Sequence, residues 1–335
     1  MLVDAFGRSI DYLRVSVTDQ CDLRCQYCRP LSLPVAPPLA GILSNADIVT
    51  VVRAAALLGV RKVRLTGGEP LLRRDIVDLV SSLAAVPGIT DLSLTTNGLH
   101  LERLALALAA AGLKRVNVSL DTLHADRFVR ITGAPGLERV LAGISAARAA
   151  GLRPVKVNVV VMRGVNDDEI ADFAALTVGN GWHVRFIEVM PIGPASGDPD
   201  CDNVLTHSQD AGALLVSAAE ILSRLPALTP DDSVVGFGPA RMFRLPGATG
   251  TVAIISPVTD HFCSGCNRLR LTADGKLRPC LLDDGEVDLW PVLHTDHTPE
   301  DVARLITQAV ANKPRQHHLE EGHSARARTM TQIGG

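Results

Sequence analysis

Several things are missing from this sequence, and each absence excludes a class. No G-x-G-x-x-G run occurs, so the phosphate-cradling turn of a dinucleotide fold is not there. No apolar run is long enough to span a membrane; Leu104 to Leu113 is among the longest, and a spanning helix needs about 20 such residues. The first residues, Met1-Leu2-Val3-Asp4-Ala5-Phe6-Gly7-Arg8, show no basic stretch followed by an apolar one, so no secretory signal is expected. Charge of one sign is not in excess: 33 Lys and Arg against 36 Asp and Glu give a net charge of −3, which offers no electrostatic case for a nucleic-acid partner. An even set of disulfide cysteines is also missing. There are seven cysteines, six of them in two groups, a pattern that fits metal ligation in a reducing compartment and a cytoplasmic location.

The chain that remains is globular by composition. It has 335 residues, 47% hydrophobic and 21% charged, enough for one large domain or two around a substantial core. From Leu13 to Pro194, short β-branched runs alternate with longer alanine- and leucine-rich stretches. The expected strands are Leu13–Thr18, Lys62–Thr66, Asp91–Thr95, Arg115–Leu120, Pro154–Val161 and Val184–Glu188. The expected helices are Asn45–Leu58, Arg73–Ala85, Leu99–Ala111, Leu137–Ala150 and Asp167–Val178. Strand–helix alternation means a parallel sheet. The pattern itself allows either an incomplete (β/α) barrel or a doubly wound sheet. After about residue 192 the alternation stops. Gly193–Asp202 reads as a linker with Cys201 as a surface cysteine, followed by a helix over Ala211–Leu225 and short strands at Arg241–Leu245 and Thr251–Ile255.

The cysteines carry the chemistry. Cys21, Cys25 and Cys28 form a C-x3-C-x2-C group. Their i, i+4, i+7 spacing would suit one face of a buried helix, but Asp22, Arg24, Gln26 and Arg29 make a poor core and Pro30 stops it. Zinc usually shows paired C-x2-C spacing. Three thiolates can instead hold an iron–sulfur cluster and leave one iron open. The second group, Cys263, Cys266 and Cys280, has C-x2-C-x13-C spacing and suits zinc or an iron–sulfur cluster equally. Arg268 and Arg270 follow it, two residues apart and so on one face of a strand. Such guanidinium forks suit phosphate; a solvated strand face is the plainer alternative.

C-x3-C-x2-C with an aromatic before its last cysteine resembles the radical S-adenosylmethionine (SAM) enzymes. The resemblance implies a six-stranded partial barrel of the TIM type. It implies [4Fe-4S] ligation by Cys21, Cys25 and Cys28, with SAM cleaved to methionine and a 5′-deoxyadenosyl radical. Tyr27, the Gly67-Gly68-Glu69-Pro70 loop through Gly68, Ser119 and Met190 would contact SAM. A barrel keeps its chemistry at the carboxyl ends of its strands, and polar or glycine-rich groups recur there.

Two cysteine triplets, an Arg-x-Arg after the second and a terminal Gly334-Gly335 are together similar to the GTP 3′,8-cyclases of molybdenum cofactor biosynthesis. The resemblance runs over essentially the whole chain. It implies a radical SAM barrel over 1–195 and a C-terminal domain over 196–335 with a second [4Fe-4S] cluster on Cys263, Cys266 and Cys280. GTP would meet Arg14, Arg64, Thr95, Lys156, Arg268, Leu269 and Arg270, with Arg14, Arg268 and Arg270 catalytic. The radical would take the C3′ hydrogen, C3′ would close on C8, and the product would be (8S)-3′,8-cyclo-7,8-dihydroguanosine 5′-triphosphate. The resemblance also implies a reductant, a downstream cyclic pyranopterin monophosphate synthase, and a monomer or homodimer. Gly334 and Gly335 would thread toward the site, whereas the residues alone read as a frayed terminus. A peptide-modifying radical SAM enzyme and a non-enzymatic zinc protein are the competing readings.

Overall fold

The computed structural model describes residues 1–29, 39–192, 213–231, 233 and 238–335. Cys201 and the linker 193–202 lie outside them, as does most of the proline-rich stretch after Cys28. Six parallel strands run in sequence order: β1 (Tyr12–Ser16), β2 (Lys62–Thr66), β3 (Asp91–Thr96), β4 (Arg115–Ser119), β5 (Lys156–Val161) and β6 (His183–Glu188). The crossovers carry α1 (Asn45–Leu57), α2 (Ile76–Ala84), α3 (Leu101–Ala110), α4 (Ala125–Thr132), α5 (Leu137–Ala149) and α6 (Ile170–Gly179). Local chemistry sets these ends. Ser44 caps α1 through a reciprocal box with Asp47. Gly133 ends α4 in the left-handed conformation at φ 77°.

The sheet does not stop at six strands. Later residues add β7 (Thr229–Pro230), β8 (Arg241–Arg244), β9 (Thr251–Ile255), β10 (Arg268–Leu271), β11 (Lys276–Arg278) and β12 (Val287–Asp288). The order is β12-β11-β10-β1-β2-β3-β4-β5-β6-β9-β8-β7. β10 lies parallel to β1, and β9 lies parallel to β6. The six-stranded barrel sheet is therefore extended at both edges by chain from residue 229 onward. Among the described residues β9 and β10 do not pair with each other, so the barrel stays open. One continuous apolar core runs from Leu2 to Val310.

Some expectations change. Within the described residues the helix expected over Ala211–Leu225 is interrupted: 213–214 are helical, Leu215 bridges Met162, and the Ser217–Glu220 capping box starts a new helix, Ala218–Ser223. The helices Ala125–Thr132 and Pro299–Ala311 were not expected; both are amphipathic and bury one face. The terminus is not frayed. Gly334 is buried at φ 86°, beside Ser16 and Thr66. No described helix is long and apolar enough to cross a membrane.

Candidate functional site

Strand register builds the centre. Side chains alternate between the two faces of a strand, so every second residue of β1 faces the barrel interior. Arg14 of β1 is paired with Arg270 of β10 on one side and Arg64 of β2 on the other. Three guanidiniums thus share one rung, on strands spaced about 4.8 Å apart. Tyr12, one rung below, is paired with Arg268 and Lys62. The intervening Leu13 and Leu269 point the other way, into the core. Leu269 is therefore an expected substrate contact whose side chain lines neither of the two cavities described next.

This face lines a cavity of about 850 Å³ that also receives Lys156, Arg185, Cys263, Cys266 and Cys280. A second cavity, of about 220 Å³, is lined by Cys21, Cys25, Tyr27, Cys28, Gly68, Ser119 and Met190. Thr95 lines this smaller space and not the larger one. Arg14, Asn158, Met190 and Arg270 line both cavities. The two thiol triplets, far apart in sequence, thus face adjoining spaces with arginines at the junction.

The cations are held against their own repulsion. Burial first, then Arg185 and Arg115, push the Lys156 ammonium down to about 6. Arg185 falls to about 9 through burial and then Arg64. Arg270 falls to about 9 through burial and then Arg268. The terminal segment supplies some of the missing partners. The Gly334 carbonyl accepts a hydrogen bond from the Arg270 guanidinium at 2.6 Å, and the Gly335 carbonyl accepts one from Arg14. Among the described residues, Arg14 Nε and the buried hydroxyls of Tyr12 and Thr95 have no hydrogen-bond partner. A polyanion would satisfy several of these groups together.

The smaller cavity is shaped by backbone approach. The Gly68 N–H donates to the Thr18 carbonyl at 2.7 Å, and the Glu69 N–H donates to the Gln20 carbonyl at 2.7 Å. A Cβ on Gly68 would stand 2.2 Å from that Gln20 oxygen, so only glycine fits there. Glu69 is buried and accepts from the Thr96 hydroxyl and the Asn97 and Leu71 amides. Burial lifts its carboxyl to about 7. The Tyr27 hydroxyl donates to Asp121 at 2.8 Å. Asp121 also accepts from the Val160 amide, and burial raises its carboxyl to about 6.

The donor sets fit polynuclear clusters. All six motif cysteines are free thiols. Burial raises Cys21 to about 11, with Glu69 and Asp22 adding to the rise, and Cys28 to about 12, with Cys21 adding to it. Thiolates held this way need a cationic centre among them. Among the described residues no group of three or more His, Cys, Asp or Glu side chains is gathered as a site for a single metal ion. Each triplet faces a cavity, which leaves room for a polynuclear cluster.

Sequence reasoning missed Arg185 and Lys313, which line the larger cavity, and gave no role to Asp121 at the end of the fourth strand, which lines the smaller one. Arg185 could have been found, because His183 and Arg185 alternate along β6 as Arg268 and Arg270 do along β10. Asp121 and Lys313 carry no motif; only the fold brings them to the thiols.

Family models match two stretches: the Radical SAM superfamily over residues 15–177 and Molybdenum Cofactor Synthesis C over residues 182–319. The GTP 3′,8-cyclase of Moorella thermoacetica is 49% identical over 338 residues, covering 99% of each chain. That of Heliobacterium modesticaldum is 49% identical over all of both chains. That of Listeria monocytogenes is 43% identical over all of this chain and 99% of its own. Among solved structures, Streptococcus suis SuiB bound to S-adenosylmethionine aligns at TM-score 0.56 and 16% identity, over 88% of this chain and 68% of its own. Native anSMEcpe with bound AdoMet aligns at TM-score 0.53 and 14% identity, over 91% and 81%. At those identities the two structures establish the fold alone.

Proposed function

This chain belongs to the GTP 3′,8-cyclase family of radical SAM proteins, and on that premise we infer that it cyclises GTP to (8S)-3′,8-cyclo-7,8-dihydroguanosine 5′-triphosphate, the first step of molybdenum cofactor biosynthesis. The observation that carries this reading is the rung Arg270–Arg14–Arg64, set between two thiol triplets that face adjoining cavities. A triphosphate is the kind of ligand that buried, mutually repelling guanidiniums require.

When bound, two [4Fe-4S] clusters and SAM supply the one-electron chemistry that removes hydrogen from C3′ of GTP and joins C3′ to C8. Cys21, Cys25 and Cys28 would hold one cluster in a part spanning 1–195, and Cys263, Cys266 and Cys280 the other in a part spanning 196–335. Gly68, Ser119, Met190 and Tyr27, the last held by Asp121, would seat SAM in the smaller cavity. Arg64, Lys156 and Arg268 would take the triphosphate in the larger one, joined by Arg185, with Thr95 reaching GTP from the smaller side. Leu269 would contribute its backbone only. Arg14, Arg268 and Arg270 would lie nearest the reacting atoms, and Gly334 and Gly335 orient Arg270 and Arg14. The protein's share of catalysis is positioning and exclusion of water. A reductant would feed the clusters in the cytoplasm, and cyclic pyranopterin monophosphate synthase would take the product. A peptide substrate would leave the arginine rung without an anion.

The test is turnover with GTP deuterated at C3′, in protein reconstituted without oxygen and supplied with SAM and a strong reductant. Deuterium recovered in 5′-deoxyadenosine supports both the class and the substrate. Unlabelled 5′-deoxyadenosine, formed equally without GTP, would rule GTP out.

A further inference from the structure

The segment after the helix Pro299–Ala311, residues 313 to 317, wraps the second thiol triplet. Lys313 is a buried lysine. Its ammonium donates to the Arg268 carbonyl at 2.9 Å and to the Pro279 carbonyl at 2.6 Å. Pro279 directly precedes Cys280, and Arg268 lies two residues after Cys266. The charge of Lys313 favours the thiolate form of all three cysteines. Among the described residues it has no carboxylate partner. A buried ammonium held by carbonyls alone implies an anionic neighbour.

Arg8 works from the other side. Anchored by buried Asp4 at 2.5 Å, its guanidinium donates to the carbonyls of Cys263, Pro314 and Arg315 at 2.6 to 2.9 Å. It thereby ties the 263 turn to the segment carrying Lys313. The surroundings of the first triplet differ: Asp22, Glu69 and Asp121 all disfavour thiolates there, opposed by Arg29.

We propose that Lys313 is the positioning residue of the second thiol triplet: its ammonium, with Arg8 behind it, fixes the cysteine turns on one cavity and makes a cluster bound there easier to reduce. This rests on the reading that the second triplet holds an iron–sulfur cluster. A cation in a low-dielectric site stabilises the more negative, reduced state, and net charge and hydrogen bonds to sulfur are what tune such potentials. Lys313 is not a catalytic residue; it acts through the cysteines.

The experiment uses the full chain with Cys21, Cys25 and Cys28 replaced by alanine, so that only the second site loads. Lys313→Gln and Lys313→Arg are compared with this parent by iron content, circular dichroism and an electron-paramagnetic-resonance redox titration. Lys313→Gln is expected to make reduction at least tenfold less favourable, a midpoint lower by about 59 mV for one electron. Lys313→Arg, which keeps the charge, is expected to stay within about threefold of the parent. An unchanged midpoint in folded, iron-loaded Lys313→Gln would overturn the proposal. If Lys313→Gln loses the cluster, Lys313→Arg decides: retention of iron and potential supports a charge role, and loss in both variants overturns it. Zinc without iron in the parent would instead sink the cluster reading, which keeps the two failures apart.

Discussion

At the scale of single residues, the site is an electrostatic problem solved only with a ligand present. Lys156 makes this measurable. Its ammonium, ordinarily near 10.5, titrates at about 6 in the folded protein because of burial and the Arg185 and Arg115 charges. Below pH 6 both folded and unfolded chains hold the proton, and the full destabilisation is present. Between about 6 and 10.5 only the unfolded chain holds it, so stability rises with pH. The rise is at most about 1.4 kcal/mol per pH unit, and less where solvent screens the group. Ligand-free protein is therefore expected to gain thermal stability from pH 6 to pH 9, and Lys156→Met to flatten that gain. GTP should shrink the difference, because phosphate returns the proton to Lys156. Parallel melting curves for the two proteins would refute the account. The alternation of Arg268 and Arg270, and the place of Lys156 in a strand, were legible in the sequence. That they face inward with Arg14 and Arg64 was not, since alternation names two faces and only the register says which one is buried.

At the scale of elements, most of the barrel could be read directly. Lys62–Thr66 is a strand over the expected residues, and β3 to β6 differ by one or two positions at their ends. Glycines and β-branched runs mark those boundaries locally. What could not be read is action at a distance, and the C-terminal tail is the clearest case. Arg328 pairs with Asp274 and Glu286, and Asp284 accepts from the Arg326 and Ala327 amides. Those contacts deliver the short helix Met330–Ile333 and then Gly334 to the barrel mouth. A Gly334 Cβ would stand 2.7 Å from Ser16 Cβ and 2.9 Å from Thr66 Oγ1, both on buried strand residues that cannot yield. The left-handed φ adds about 1–2 kcal/mol for any other residue. Gly334→Ala is expected to withdraw the tail from Arg14 and Arg270. Single-turnover deuterium transfer should fall about tenfold or more, while the melting temperature moves by only a few degrees because the tail is a local unit. Transfer at the parent rate would mean that the carbonyl contacts do not orient the arginines.

At the scale of the whole molecule, the two sequence regions are joined through the sheet itself. The sequence pattern changes near residue 192, and the natural reading is a barrel followed by a separate domain. The register shows how the two regions meet: β9 and β10 come from the later region, and they flank the two edges of the six-stranded barrel sheet. β10 supplies Arg268 and Arg270 beside Arg14, so the larger cavity does not exist without it. Residues 1–195 alone would expose the β1 and β6 edges, whose unpaired amides and carbonyls invite aggregation. They would also strip Leu269 and Leu271 from the core beside Leu13 and Val15. The full chain is therefore expected to unfold in one calorimetric transition, with matching calorimetric and van't Hoff enthalpies. The fragment 1–195 is expected to show no cooperative transition and to self-associate. Two resolved transitions in the full chain, the first reproduced by a soluble, cooperatively melting 1–195 fragment, would mean that the edge strands are only docked. The arginine rung would then be an interface between independent units, assembled after each has folded.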